Sequence, residues 1–195
     1  MVILFLGVTR VPTYGQAPAA PGPGSPQQLK QLSALIAKEL PGFRIASLKD
    51  YVTALRGLNM GETTWRDDFN RDGRDDWAVV VINDQSRQYR VSYVVATETG
   101  WHVEHLFERR WEGASSPGPI RTPMFFKWPG NPGISQRRYA RLARDQVVVY
   151  TAAPAIEVWT GQKHDASDDD LEDIAYCSQT WYYDRGALRQ FAVCD

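Results

Sequence analysis

Hydrophobic positions along this chain follow two periods in turn, and the change of period marks a change of element. Between Gln27 and Glu39, Leu29, Leu32, Leu35 and Ile36 recur at spacings of three and four, which puts them on one stripe of an amphipathic α-helix. Ser25 is placed to cap its start, with Pro26 at the first helical position, and Pro41-Gly42 ends it just after Leu40. Residues 43–48 alternate weakly, as a short strand does, and Lys49 to Leu58 reads as a helical turn or a loop. From Trp77 onward the period is two or the run is continuously apolar. Trp77 to Asn83, Gln88 to Glu98 and Gly100 to Trp111 read as successive antiparallel strands joined by Asp84-Gln85-Ser86-Arg87 and by a turn at Thr99-Gly100. Tyr89, Val91, Tyr93 and Val95 face one way and Arg90, Ser92 and Val94 the other, which predicts one buried and one wet face.

Farther on, Pro117, Pro119, Pro123, Pro129 and Pro132 break residues 113–135, which predicts an irregular loop around Met124-Phe125-Phe126-Lys127-Trp128. Val147 to Tyr150 and Ile156 to Gly161 read as two more strands, and Ala175 to Tyr183 with Ala187 to Val193 as a terminal hairpin. The whole pattern predicts an α+β fold, with an N-terminal helix packed on a predominantly antiparallel β-sheet in one domain.

Residues 1–20 stand apart from that pattern. Met1 to Val8 is an apolar run of the length found in a secretory signal peptide, far short of the ~20 residues that span a membrane, and Ala17 or Ala20 suits a small-residue cleavage site. No basic segment precedes it, so either the start lies farther upstream or the run is a buried strand. The expected division is a signal peptide over 1–20, a Pro- and Gly-rich linker over 21–26 and a single α+β domain over 27–195, located in the periplasm or secreted.

Charge narrows the partners. With 22 Lys and Arg against 23 Asp and Glu, the net charge of −1 offers no general attraction to nucleic acid or anionic membranes. Seven tryptophans and nine tyrosines suit a β-rich domain or an aromatic binding surface for a protein or glycan ligand. Both cysteines lie near the C-terminus. If Arg185-Gly186 is a two-residue turn, Asp184 faces Ala187 and, seven residues farther out on each strand, Cys177 faces Cys194. That position is a non-hydrogen-bonded pair, close enough for a disulfide.

The strongest chemical signal is Asp68-Phe69-Asn70-Arg71-Asp72-Gly73-Arg74-Asp75-Asp76, directly before the apolar strand. Asp68, Asn70, Asp72 and Asp76 take positions 1, 3, 5 and 9 of an oxygen-rich loop, with Gly73 at position 6 and the Arg74 carbonyl at position 7. Calcium takes such hard oxygen donors, and glycine permits the sharp turn. An EF-hand would need Glu at position 12, where this chain has Val79 in a β-branched run. The stretch instead resembles the calcium loop of FG-GAP or VCBS-type repeats of integrin-like β-propellers, over about fifteen residues. A single copy of that loop also occurs in small secreted bacterial proteins, and the chain as a whole resembles these better. The resemblance implies a bound Ca2+ and an extracytoplasmic location.

Other reactive residues carry weaker signals. His102 and His105 fall in His102-Val103-Glu104-His105, where strand geometry sends them to opposite faces, while His102 and Glu104 share one. Arg137, Arg138, Arg141 and Arg144 lie at near-helical spacing, and Asp168-Asp169-Asp170 marks an acidic loop or helix start. No serine lies in a nucleophile elbow. The expectation is a non-enzymatic, calcium-stabilised binding or scaffolding domain; the alternative is a small secreted hydrolase of cell-wall or polysaccharide material using Glu104 or another carboxylate.

Overall fold

The computed structural model describes residues 22–51, 63–111, 120, 124–127, 154–161 and 176–194. Helix α1 covers Pro26–Glu39. Its start is fixed by reciprocal bonds: the Gln28 amide donates to Ser25 Oγ at 3.4 Å and the Ser25 amide to Gln28 Oε1 at 2.8 Å. Pro26 sits at N1, where its missing N–H has no intrahelical role.

Among the described residues nine strands follow, in two antiparallel sheets. The first holds β1 (Arg44–Ile45), β2 (Thr64–Asp67), β3 (Asp76–Asn83), β4 (Gln88–Thr97) and β5 (Gly100–Arg110), ordered β1-β3-β4-β5. β1 and β2 share one edge of β3: Arg44 and Ile45 pair with Ile82 and Val81, and Thr64 through Asp67 pair with Val79 through Asp76. The second sheet runs β6 (Met124–Lys127), β7 (Ala155–Gly161), β8 (Tyr176–Asp184) and β9 (Ala187–Cys194) in chain order. One helix with mostly antiparallel sheets is the α+β class that the pattern predicts.

β3 is buried from Asp76 to Ile82, the signature of a strand covered on both faces. Ala78, Val80 and Ile82 join Tyr89, Val91, Tyr93 and Val95 of β4 in one cluster that also takes in Ile156, Val158, Trp181 and Tyr183 of the second sheet. Tyr93 stitches the two sheets directly, its hydroxyl donating to the Trp181 carbonyl at 3.1 Å. On the opposite face, Trp77, Val79, Val81 and Val94 share a second cluster with Leu32, Ile36 and Leu40.

Several expectations change. The strands divide into two sheets rather than one. β4 alternates as predicted but has no wet face: Ser92 and Val94 are fully buried, and the half-buried Arg90 guanidinium lies 4.6 Å from the Phe43 ring centroid. Met124–Lys127, expected within an irregular loop, pairs with Lys127 opposite Ala155 through Met124 opposite Val158. β2 had no counterpart in the sequence reading. Residues 22–25, inside the stretch whose composition suggests a linker, are docked: Gly22 and Arg66 exchange backbone hydrogen bonds at 2.8 and 3.1 Å, and Thr64 Oγ1 donates to the Pro23 carbonyl. A Cβ at Gly24 would collide with the Trp77 ring, so glycine alone allows that approach.

Of the remaining expectations, the signal peptide, the arginines at 137–144, the strand at 147–150 and Asp168-Asp169-Asp170 lie outside the described residues. So do Trp128 and the side chains of Phe125 and Phe126.

Candidate metal loop

The acidic stretch is the turn of a hairpin. Asp67 and Asp76 face each other as the last pair of β2 and β3, which leaves Asp68 to Asp75 as the loop. Phe69 and its polar neighbours divide the work. The Phe69 side chain is 1% exposed and its ring lies 4.7 Å from that of Tyr93, so it pins the loop to the core, while the neighbouring oxygens hold the loop's own amides. Asp68 Oδ1 accepts from the Asp72 amide at 3.0 Å and Oδ2 from Gly73 at 2.9 Å; Asn70 Oδ1 accepts from Asp72 at 3.0 Å; Asp72 Oδ1 accepts from Arg74 at 2.9 Å. These are Asx-type turns stacked in series. Gly73 has φ +84°, in the region that a side chain disfavours.

Asp76 ends the loop inside the protein. It is fully buried, with Oδ1 accepting from the Ala96 amide at 2.8 Å and Oδ2 from the Asn70 amide at 3.3 Å, so one carboxyl ties the loop to β4. Burial pushes its pKa up to about 7, against the pull of those two amides, and the Asp72 and Asp68 carboxylates add to the rise. Burial likewise raises Asp67, helped by Asp68 and Asp75. The acidic crowding at the two closing residues thus comes from within the loop, from Asp68 and Asp75 at Asp67 and from Asp72 and Asp68 at Asp76.

Two arginines answer part of this charge. Arg66 reaches Asp75 at 3.4 Å, and Arg74 reaches Asp72 at 3.0 Å and Glu98 at 3.6 Å. With Asp72 turned toward Arg74, no three His, Cys, Asp or Glu side chains among the described residues are placed to hold one metal ion. The donor chemistry of Asp68, Asn70, Asp72 and Asp76 suits a hard cation, and the Asp72 carboxylate is the member that would have to change partners.

The remaining candidates do not gather around this loop. His102 Nε2 lies 3.8 Å from Glu104 Oε1 along one face of β5, with His102 exposed. His105 turns to the other side, where its Nδ1 is 3.2 Å from Ser92 Oγ, and burial lowers its pKa, with Arg90 acting in the same direction. Cys177 faces Cys194 in the register of β8 and β9, as the turn arithmetic predicts, with Arg185 and Gly186 both at positive φ. The two cysteine side chains lie outside the described residues. Phe69, Asp67 and the Arg66–Asp75 pair were missed by sequence reasoning; a lone aromatic inside an acidic loop is the signal that could have exposed the first.

No family model matches the chain, and neither a curated protein nor a solved structure similar to it is found.

Proposed function

We propose that this protein is a calcium-stabilised, non-enzymatic binding domain that works outside the cytoplasm, of the FG-GAP or VCBS-like single-loop kind. The observation that carries the proposal is the hairpin loop itself: oxygen side chains at the calcium-loop positions, glycine at the turn, and a closing pair of carboxylates, one of them fixed in the core. A cation among them offsets the repulsion that the hairpin otherwise bears. Asp68, Asn70, Asp72 and Asp76 are the side-chain ligands and Arg74 gives its carbonyl. In this scheme Asp72 exchanges the exposed Arg74 guanidinium for the metal, and α1 covers the sheet face beside the loop. A disulfide between Cys177 and Cys194 fits the same compartment.

The experiment is a pair of melting curves, one with millimolar calcium and one with chelator, for the native chain, Asp72→Ala and Asp75→Ala. The calcium increment should vanish in Asp72→Ala and survive in Asp75→Ala, whose carboxylate pairs with Arg66 instead of the metal. Identical curves for the native chain would reduce the loop to a turn.

A further inference from the structure

Beside the loop, on the face of the first sheet that carries the α1 cluster, lies a cleft of about 500 Å³, within the roughly 300–1,000 Å³ usual for small-ligand sites. Its described walls come from five places: Gln28 and Gln31 with two leucines on α1, Arg66 on β2, Asp75 in the loop, Trp77 on β3 and Trp101 on β5.

The lining restricts the ligand's charge first. Arg66 and Asp75 pair across 3.4 Å, so the cleft presents no uncompensated charge among its described residues to draw in a phosphate, a carboxylate or an ammonium. Their polar capacity is not used up. Arg66 Nε and Asp75 Oδ1 find no hydrogen-bond partner within the protein but are closed off from solvent, so a ligand in the cleft meets the partly exposed remainder of the two side chains.

The lining then restricts shape. Trp101 is 44% exposed, one of two large hydrophobic side chains so exposed among the described residues, and it lines the cleft together with a second indole, that of Trp77. An indole face takes a flat patch of C–H groups, while the primary amides of Gln28 and Gln31 both give and accept hydrogen bonds. Gln28 Oε1 is committed to the Ser25 amide, so its NH2 is the free end. A ligand with an apolar face and a ring of groups that donate and accept, without net charge, meets all of these conditions.

We propose that this cleft binds one unit of a neutral sugar, with Trp101 as the stacking platform and Gln31, Gln28, Arg66 and Asp75 addressing the hydroxyls. The site does not rest on the calcium proposal, since none of the metal-loop ligands lines it.

The test is a titration of the full chain with glucose, galactose, mannose, N-acetylglucosamine and their dimers, and with adenosine as a flat, neutral competitor. Indole fluorescence and saturation transfer from protein to sugar ring protons are the readouts, each with calcium and with chelator. At least one sugar should saturate both signals. Trp101→Ala should weaken it about tenfold, and Gln31→Ala about threefold, with the melting temperature of both variants unchanged. Both residues are exposed, so folding is not at risk. Silence from every sugar up to tens of millimolar would overturn the proposal, as would binding that Trp101→Ala leaves intact or saturation by adenosine in place of the sugars. Sugar binding that persists in chelator, beside a failed calcium experiment, would sink the metal proposal and leave this one standing.

Discussion

Hairpin β2–β3 turns through the eight residues Asp68 to Asp75, and hairpin β8–β9 through the two residues Arg185 and Gly186. The two-residue turn needs little besides its own backbone. Both of its residues sit at positive φ, 51° and 75°, the primed geometry whose twist matches the strands, and the register follows out to Cys177 and Cys194. The eight-residue loop is two doublings longer, which costs roughly 1.2 kcal/mol more in closure entropy, and it ends on two facing carboxylates. It is held by added interactions: serial side-chain turns, Phe69 in the core, and Asp76 reaching across to Ala96. A short turn sets register by geometry, whereas a long one must be fastened, and the fastenings are where a ligand can act.

That contrast can be broken in four places. The largest effect is expected at the open end of the short hairpin. If Cys177 and Cys194 are bonded, replacing both by serine should cost about 3 kcal/mol in a urea titration, the chain-entropy value for a loop of this order. Two reactive thiols in unreduced, unfolded protein would sink the bond and leave the turn as the hairpin's sole constraint.

Next comes the fastening of the long loop. Asp76→Ala leaves the Ala96 and Asn70 amides without their acceptor and should cost about 2 kcal/mol at pH 6, where little charge burial is relieved in exchange. Hydrogen exchange should quicken at both amides. Unchanged exchange would mean that Phe69 alone holds the loop.

Calcium comes third. For an extracellular module with Kd of roughly 10⁻⁴ to 10⁻³ M, about 2 mM calcium should add about 0.6–1.8 kcal/mol by mass action, a few degrees in Tm. The addition should be confined to the long hairpin, so β8–β9 amides should keep their exchange rates relative to global unfolding.

The smallest effect sets a baseline away from both turns, at Arg44, which donates twice to Asp50 at 2.8 Å. Burial alone would raise Asp50, but the Arg44 guanidinium and the Ser47 amide and hydroxyl outweigh it and hold its pKa below the ordinary 3.8. A depressed carboxylate contributes stability that is complete above its unfolded value and fades as pH falls through the folded one. The advantage of the native chain over Asp50→Asn should therefore be flat from pH 7 to about 5 and shrink below about 4. The pair is partly exposed, so the advantage should stay within about 1 kcal/mol. A difference that grows on acidification would reverse the assigned sign.

How much was legible in the sequence follows the same division. The β3–β4–β5 meander, the Ser25 cap and the β8–β9 register could be read because each is fixed by residues adjacent in the chain. β2 could not be read: Thr64-Trp65-Arg66-Asp67 is four residues with little alternation, and it becomes a strand only because β3 offers an edge. The second face of β4 was misjudged for a related reason, since Ser92 and Arg90 look like surface residues until Phe43 and the sheet edge are in place. The metal loop was visible as spacing, but the Arg74 contact that turns Asp72 aside was not. The cleft was invisible, because its six polar and aromatic residues come from four elements and a loop spread between positions 28 and 101.

The bridge at Gly22 has a consequence for self-association. A sheet edge with free amides and carbonyls is a template for a second molecule, and β2 is such an edge. Gly22 occupies it with a two-way bridge at Arg66, and the next residue, Pro23, has no N–H to continue a ladder, while its carbonyl is taken by Thr64. A neighbouring chain that approached from this side would meet a strand already closed, so the stretch with the composition of a linker also guards the sheet against edge-to-edge growth.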